Sequence, residues 1–157
     1  RSQKTRRVQV PQARRGVTAP FYRTPAGVPA AMVEACGVTE ADVVLDLGCG
    51  DGEILLAACE ARGCQGIGVD LDRTLLLTAR RRADEAGVGA RVDLVCGDFA
   101  GVDSWRRAPV SVLLVYLVPA CLQLLLPVFR EHLREGGRAA SYHFPVPELE
   151  PVETLDV

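Results

Sequence analysis

Asp46-Leu47-Gly48-Cys49-Gly50-Asp51-Gly52 is the stretch on which the fold turns. It ends an apolar, β-branched run at residues 42–47 and lies just before residues 54–62, which have helical composition and stop at Gly63. A short apolar run cut off by glycines reads as a buried strand. Alternate glycines let the backbone turn tightly and let a ligand reach main-chain atoms that side chains would shield. The helix that follows offers free N–H groups and a partial positive charge to a carboxylate. The pyrophosphate fingerprint GxGxxG fits poorly, because Glu53 stands where its third glycine belongs. Taken alone, the glycine triplet can also be a structural turn.

Outward from this loop the chain alternates helix-like and strand-like stretches. Thr24-Pro25 predicts an N-cap followed by proline at the first helical position, with a helix running to about residue 36 and ended by Gly37. Residues 66–70 read as a second strand. Asp72 is placed to cap a helix over 73–86, where Leu76, Ala79, Arg80 and Ala83 fall at helical spacing. Residues 91–96 and 110–116 read as the third and fourth strands. A helix is predicted over 120–133, kinked at Pro127, then a fifth strand over 138–144. Five strands separated by helices predict an α/β fold with a mainly parallel, doubly wound sheet and helices on both faces. Ligands of such sheets sit beyond the carboxyl ends of the strands.

Composition narrows the class. The chain has 157 residues, 48% hydrophobic and 24% charged, enough to bury one core and too apolar for a disordered tail. Aromatics at 5% are too few for a base-stacking platform. Residues 1–33 hold seven basic residues and no acid, so the rest carries 11 basic against 20 acidic residues. An acidic body argues against nucleic acid as a partner. The arginine-rich start reads as a disordered tail over residues 1–19 or as part of an organellar targeting peptide. The compartment is therefore cytoplasmic or organellar, mitochondrion or plastid. Residues 112–129 look apolar, but Pro119, Gln123 and Pro127 interrupt them, so no transmembrane segment is expected. Six cysteines without a CxxC pair read as small buried thiols, with neither disulfides nor a metal site.

Two further acids follow strands. Asp70 ends the second, where a carboxylate accepts paired hydrogen bonds from ribose hydroxyls. Asp98, in Cys96-Gly97-Asp98-Phe99 after the third, is placed to accept from an adenine amino group, with Phe99 as an apolar wall. Each alone reads as a cap or a turn. Together, on three consecutive strand ends, they describe a nucleoside site with a charged arm and no phosphate cradle.

In these residues the chain resembles the class I, Rossmann-like S-adenosylmethionine-dependent methyltransferases, over roughly residues 19–145. The resemblance implies that Gly48, Gly50, Gly52, Asp70 and Asp98 bind S-adenosylmethionine, with Asp46, Cys49 and Phe99 as neighbours. Phe21-Tyr22-Arg23-Thr24-Pro25, Val115 to Pro119, Leu126-Pro127, Gly137-Arg138 and Ser141 to Phe144 are similar to one branch, the small protein-lysine methyltransferases. That branch includes enzymes acting on the adenine nucleotide translocase and the ATP synthase c subunit, and archaeal broad-specificity lysine methyltransferases. It implies a protein lysine as acceptor. Tyr22 is placed either to close over the cofactor or to pack on the first helix, and Thr24 is a further cofactor-binding candidate. Two positions depart: Glu53 stands where the branch has arginine, and Ser141-Tyr142-His143-Phe144 replaces Ser-His-Asp-Phe. The family fold also continues past residue 157 with antiparallel strands. Residues 153–157 begin a sixth strand at most, so a domain over 20–157 without its last strand or strands is expected.

Methyl transfer from a sulfonium is an in-line displacement that rests on proximity and orientation. Tyr116, ending the fourth strand, is the candidate catalytic residue: its oxygen and ring face suit an amine gaining charge. No convincing general base is evident: His143 is the candidate, and it reads better as a solvated or core histidine. Two other readings stand beside lysine methylation. One is a small-molecule methyltransferase; the other is a non-catalytic binding module that kept the fold.

Overall fold

A computed structural model describes residues 19–99 and 107–157. The predicted tail thus lies outside the described residues, apart from Ala19, which packs against the core. The element order is α1 (Val28–Ala35), β1 (Val43–Leu47), α2 (Glu53–Arg62), β2 (Gln65–Asp70), α3 (Arg73–Glu85), a 3₁₀ turn (Gly89–Arg91), β3 (Val92–Cys96), β4 (Val112–Val115), α4 (Pro119–Arg134) and β5 (Arg138–Ser141). The five strands form one sheet in the order β3-β2-β1-β4-β5, and every pairing is parallel. The chain winds outward from β1 through β2 to β3, then crosses back to put β4 on the other side of β1. The carboxyl end of β1 is therefore the switch point, where two connections diverge and leave a crevice.

Alternation along the strands sorts the core into two layers. Val44, Val112 and Leu114 share one face with Val33, Leu55 and Ala83 from α1, α2 and α3. Leu45, Leu47, Leu113 and Val115 share the other with Leu122, Leu125 and Phe129 of α4.

Several boundaries differ from the sequence pattern. Helix α1 begins at Val28, because Gly27 at φ 91° breaks the backbone path and serves as its N-cap. Thr24 therefore stays in the loop. Helix α4 runs through Pro127 from Pro119 to Arg134, held by buried Leu122, Leu125, Leu126 and Phe129. Strand β5 stops at Ser141, because His143 adopts φ 69° and the Phe144 N–H bonds to the Tyr142 carbonyl at 2.9 Å, reversing the chain. Residues 153–157 form no strand and are exposed. Of the six cysteines, all free, Cys96 is exposed where a buried thiol is expected; it ends β3, the outer strand.

Candidate functional site

A cavity of about 480 Å³ opens at the switch point, within the range of small-molecule sites. Its floor is the loop after β1. Gly48 and Gly50 adopt φ 78° and 54°, and a Cβ on them would meet Leu117 at 2.7 Å and Phe21 at 2.8 Å. The positive φ strains any L side chain at either position, so the loop presents bare backbone to the cavity. The segment before α1 forms the opposite wall, with Phe21, Tyr22 and Thr24.

The charges of the site are unequal. Asp70 is held at both oxygens: the Gly50 N–H donates to one at 2.8 Å and the Asp72 N–H to the other at 2.8 Å. This ties the end of β2 to the β1 loop. Asp72 in turn caps α3 by accepting from the Thr74 and Leu75 N–H groups. Asp46 lies deeper, 2% exposed, on the cavity wall. No hydrogen bond reaches its carboxyl among the described residues. Burial pushes it up to about 8, with the charge of Asp70 adding to the effect. A buried carboxyl facing a cavity without a partner is an acceptor waiting for a donor from a ligand. Asp42, just before β1 and also buried, is the contrast. It accepts from the Thr39 N–H at 2.7 Å, the Thr39 and Ser111 hydroxyls at 3.1 and 2.7 Å, and the Arg138 guanidinium. Burial opposes its ionisation, yet these partners hold it below the usual carboxylate range. One acid serves the fold and the other faces the site.

The cavity gathers Tyr22, Thr24, Asp46, Gly48, Cys49, Gly50, Asp70, Phe99 and Tyr116 from the sequence candidates. Gly52 and Asp98 do not line it. Gly52 caps α2 and turns inward, where a Cβ would meet Ala79 and Leu56. Asp98 is exposed beyond the outer strand β3, and only Phe99 folds back under the site. Sequence reasoning missed Asp51 and Arg73 on the rim. It also missed Tyr142, whose ring packs edge-on against Tyr116 at 4.9 Å between centroids. The helix-start position of Arg73 was legible; the ring contact needs β4 and β5 to be neighbours.

These residues have the chemistry to hold the S-adenosylmethionine that the resemblance implies: a strand-end carboxylate at Asp70, bare backbone at Gly48 and Gly50, and the buried Asp46 carboxyl, which suits a cationic or donor group.

The family model described as the ANTKMT methyltransferase domain matches residues 46–153. The chain belongs to that family. It is an S-adenosylmethionine-dependent methyltransferase of the α/β class. A protein-lysine N-methyltransferase from Saccharolobus islandicus is 30% identical over 88% of this methyltransferase and 84% of its own length. The adenine nucleotide translocase lysine N-methyltransferase of Mus musculus is 36% identical over 71% of the chain, but over only 48% of the mouse protein. Among solved structures, an RNA methyltransferase from Salinibacter ruber in complex with S-adenosyl-L-homocysteine is 33% identical, with a TM-score of 0.77 over 87% of each chain.

Proposed function

We propose that this methyltransferase modifies lysine side chains of protein. The observation that carries the reading is the aromatic wall of Tyr22 and Tyr116, with Tyr142 packed behind it, beside the cavity that holds Asp46 and Asp70. The archaeal and mouse relatives, both named as lysine methyltransferases, support it. When bound, S-adenosylmethionine supplies an electrophilic methyl carried on a sulfonium. Asp70 would accept from the ribose hydroxyls, its oxygens held in place by the Gly50 and Asp72 N–H groups. Asp46 would accept from the amino-acid arm, Gly48 to Gly50 would give it backbone to rest on, and Phe99 would supply an apolar wall for the base. On the acceptor side, Tyr116 lines the cavity and would offer its hydroxyl and ring to the incoming amine. Tyr22, with its centroid 6.5 Å from that of Tyr116, narrows the entrance. Aromatic faces stabilise an ammonium as it forms, by about 0.5–2 kcal/mol. Most of the acceleration comes from holding amine and sulfonium in line.

A second reading, RNA as acceptor, rests on the Salinibacter ruber structure. Against it stands the shortage of cations: among the described residues Arg73 is the one basic side chain lining the cavity, beside five carboxyl groups, a lining that offers little to phosphates. For localisation, no helix among the described residues is long and apolar enough to cross a membrane. Incubating the protein with a cell lysate and methyl-labelled S-adenosylmethionine tests the acceptor. Label recovered as methyl-lysine after protein hydrolysis is the expected result. Label confined to RNA or to small molecules overturns the reading in favour of that acceptor.

A further inference from the structure

Helix α3 grips the cofactor loop from outside the cavity. Arg82, on its third turn, places Nη1 2.8 Å from the Asp51 carboxylate and Nη2 2.6 Å from that of Glu53, while Nη1 also donates to the Asp51 carbonyl at 3.3 Å. Asp51 and Glu53 flank Gly52 and both line the cavity, whereas Arg82 does not. One turn earlier on the same face of α3, the Ala79 Cβ lies 3.1 Å from where a Cβ on Gly52 would stand. Ala79 thus packs beneath the glycine and Arg82 spans its two neighbours. Without the guanidinium, two carboxylates two residues apart would repel across a glycine at φ 86°, the residue least able to resist. The three groups are only part-exposed, at 33%, 14% and 37% of their side chains, so the clip is less screened than a surface pair.

We infer that Arg82 is a positioning residue for S-adenosylmethionine: by clipping Asp51 and Glu53 it sets the loop on which the amino-acid arm of the cofactor rests. The inference rests on the methyltransferase reading of the cavity. It concerns the arm and not the nucleoside, which makes it separable from that reading. Calorimetric titration of the whole chain with S-adenosylhomocysteine and with 5′-methylthioadenosine, which lacks the arm, is the test. Arg82→Gln is expected to weaken S-adenosylhomocysteine about tenfold and methylthioadenosine less than twofold. Glu53→Gln, a milder change at a part-exposed site, covers the case in which Arg82→Gln fails to fold. It is expected to cost about threefold, again for S-adenosylhomocysteine only. That ligand has no net charge at neutral pH, so its weakening reports loop geometry and not lost attraction. The reversed pair Arg82→Glu with Glu53→Arg should recover affinity to within about threefold of the parent chain. Unchanged S-adenosylhomocysteine affinity in the single variants overturns the inference. So does equal weakening of both ligands, which marks a purely structural role. If the parent chain binds neither ligand, the cofactor assignment falls and the inference falls with it.

Discussion

At the scale of single residues, the two buried carboxyls at either end of β1 behave oppositely with pH. Asp46 titrates near 8 in the folded chain and near its ordinary value when unfolded. Between about pH 4 and pH 8 the folded state therefore binds one more proton, and stability from this group falls as pH rises, by up to about 1.4 kcal/mol per unit. Below that window Asp46 is protonated in both states and the cost vanishes. Replacing Asp46→Asn should raise the melting temperature by about 10 °C at pH 7.5 and leave it little changed at pH 4, read by calorimetry at both values. The same variant should weaken S-adenosylhomocysteine about tenfold, which would separate stability from function at this position. For Asp70→Ala, both anchoring bonds and the diol acceptor are lost; binding should fall at least about 100-fold, and unaltered methyl transfer would remove Asp70 from the site. Tyr116→Phe keeps the ring and its packing on Tyr142 while deleting the hydroxyl. Its expected signature is a fall in kcat of about tenfold with cofactor affinity intact, followed by labelled methyl transfer.

At the scale of elements, the network around Asp42 ties the amino ends of three strands. Arg138, on β5, reaches Asp42 and the carbonyls of Cys36 and Gly37, while Ser111, just before β4, donates to Asp42 and accepts from the Val43 N–H. Asp42→Ala removes the acceptor shared by the Thr39 N–H, the Ser111 hydroxyl and the Arg138 guanidinium and should destabilise the fold by about 1–3 kcal/mol in urea unfolding. Its effect on S-adenosylhomocysteine affinity should be below twofold, because the network lies at the end of the sheet opposite the cavity. The pH sign is the reverse of that for Asp46: stability from Asp42 is present above its unfolded value near 4 and is lost as the pH falls below it.

At the scale of the molecule, the cavity joins the ends of β1, β2 and β4 to the segment before α1, parts that no local interaction unites. A ligand bridging them adds to global stability by mass action, about 2.7 kcal/mol at one hundred times its Kd. For a domain of this size, S-adenosylhomocysteine at that excess should raise the melting temperature by about 5–10 °C. Methylthioadenosine, compared at an equal concentration, should raise it less, as it leaves the β1 loop uncontacted.

What the sequence determined by itself was local and ordered. The β-branched run before Gly48, the Asp72 cap, the helical spacing of Leu76, Ala79 and Ala83, and the acid after β2 each depend on a handful of neighbouring residues, so they were legible in one dimension. Chain order alone then implied a wound sheet with a site at its carboxyl ends. The tertiary structure decided which of two buried acids is partnered and which faces the site. It also decided that Gly52 turns inward, that Tyr142 meets Tyr116, and that α3 clips the loop. These outcomes hang on contacts between residues 31 apart, as in Arg82 and Asp51, or 96 apart, as in Arg138 and Asp42. The physical reason is that side-chain partners across a sheet are set by strand order and register, which place distant residues within hydrogen-bond reach only once the whole core has packed.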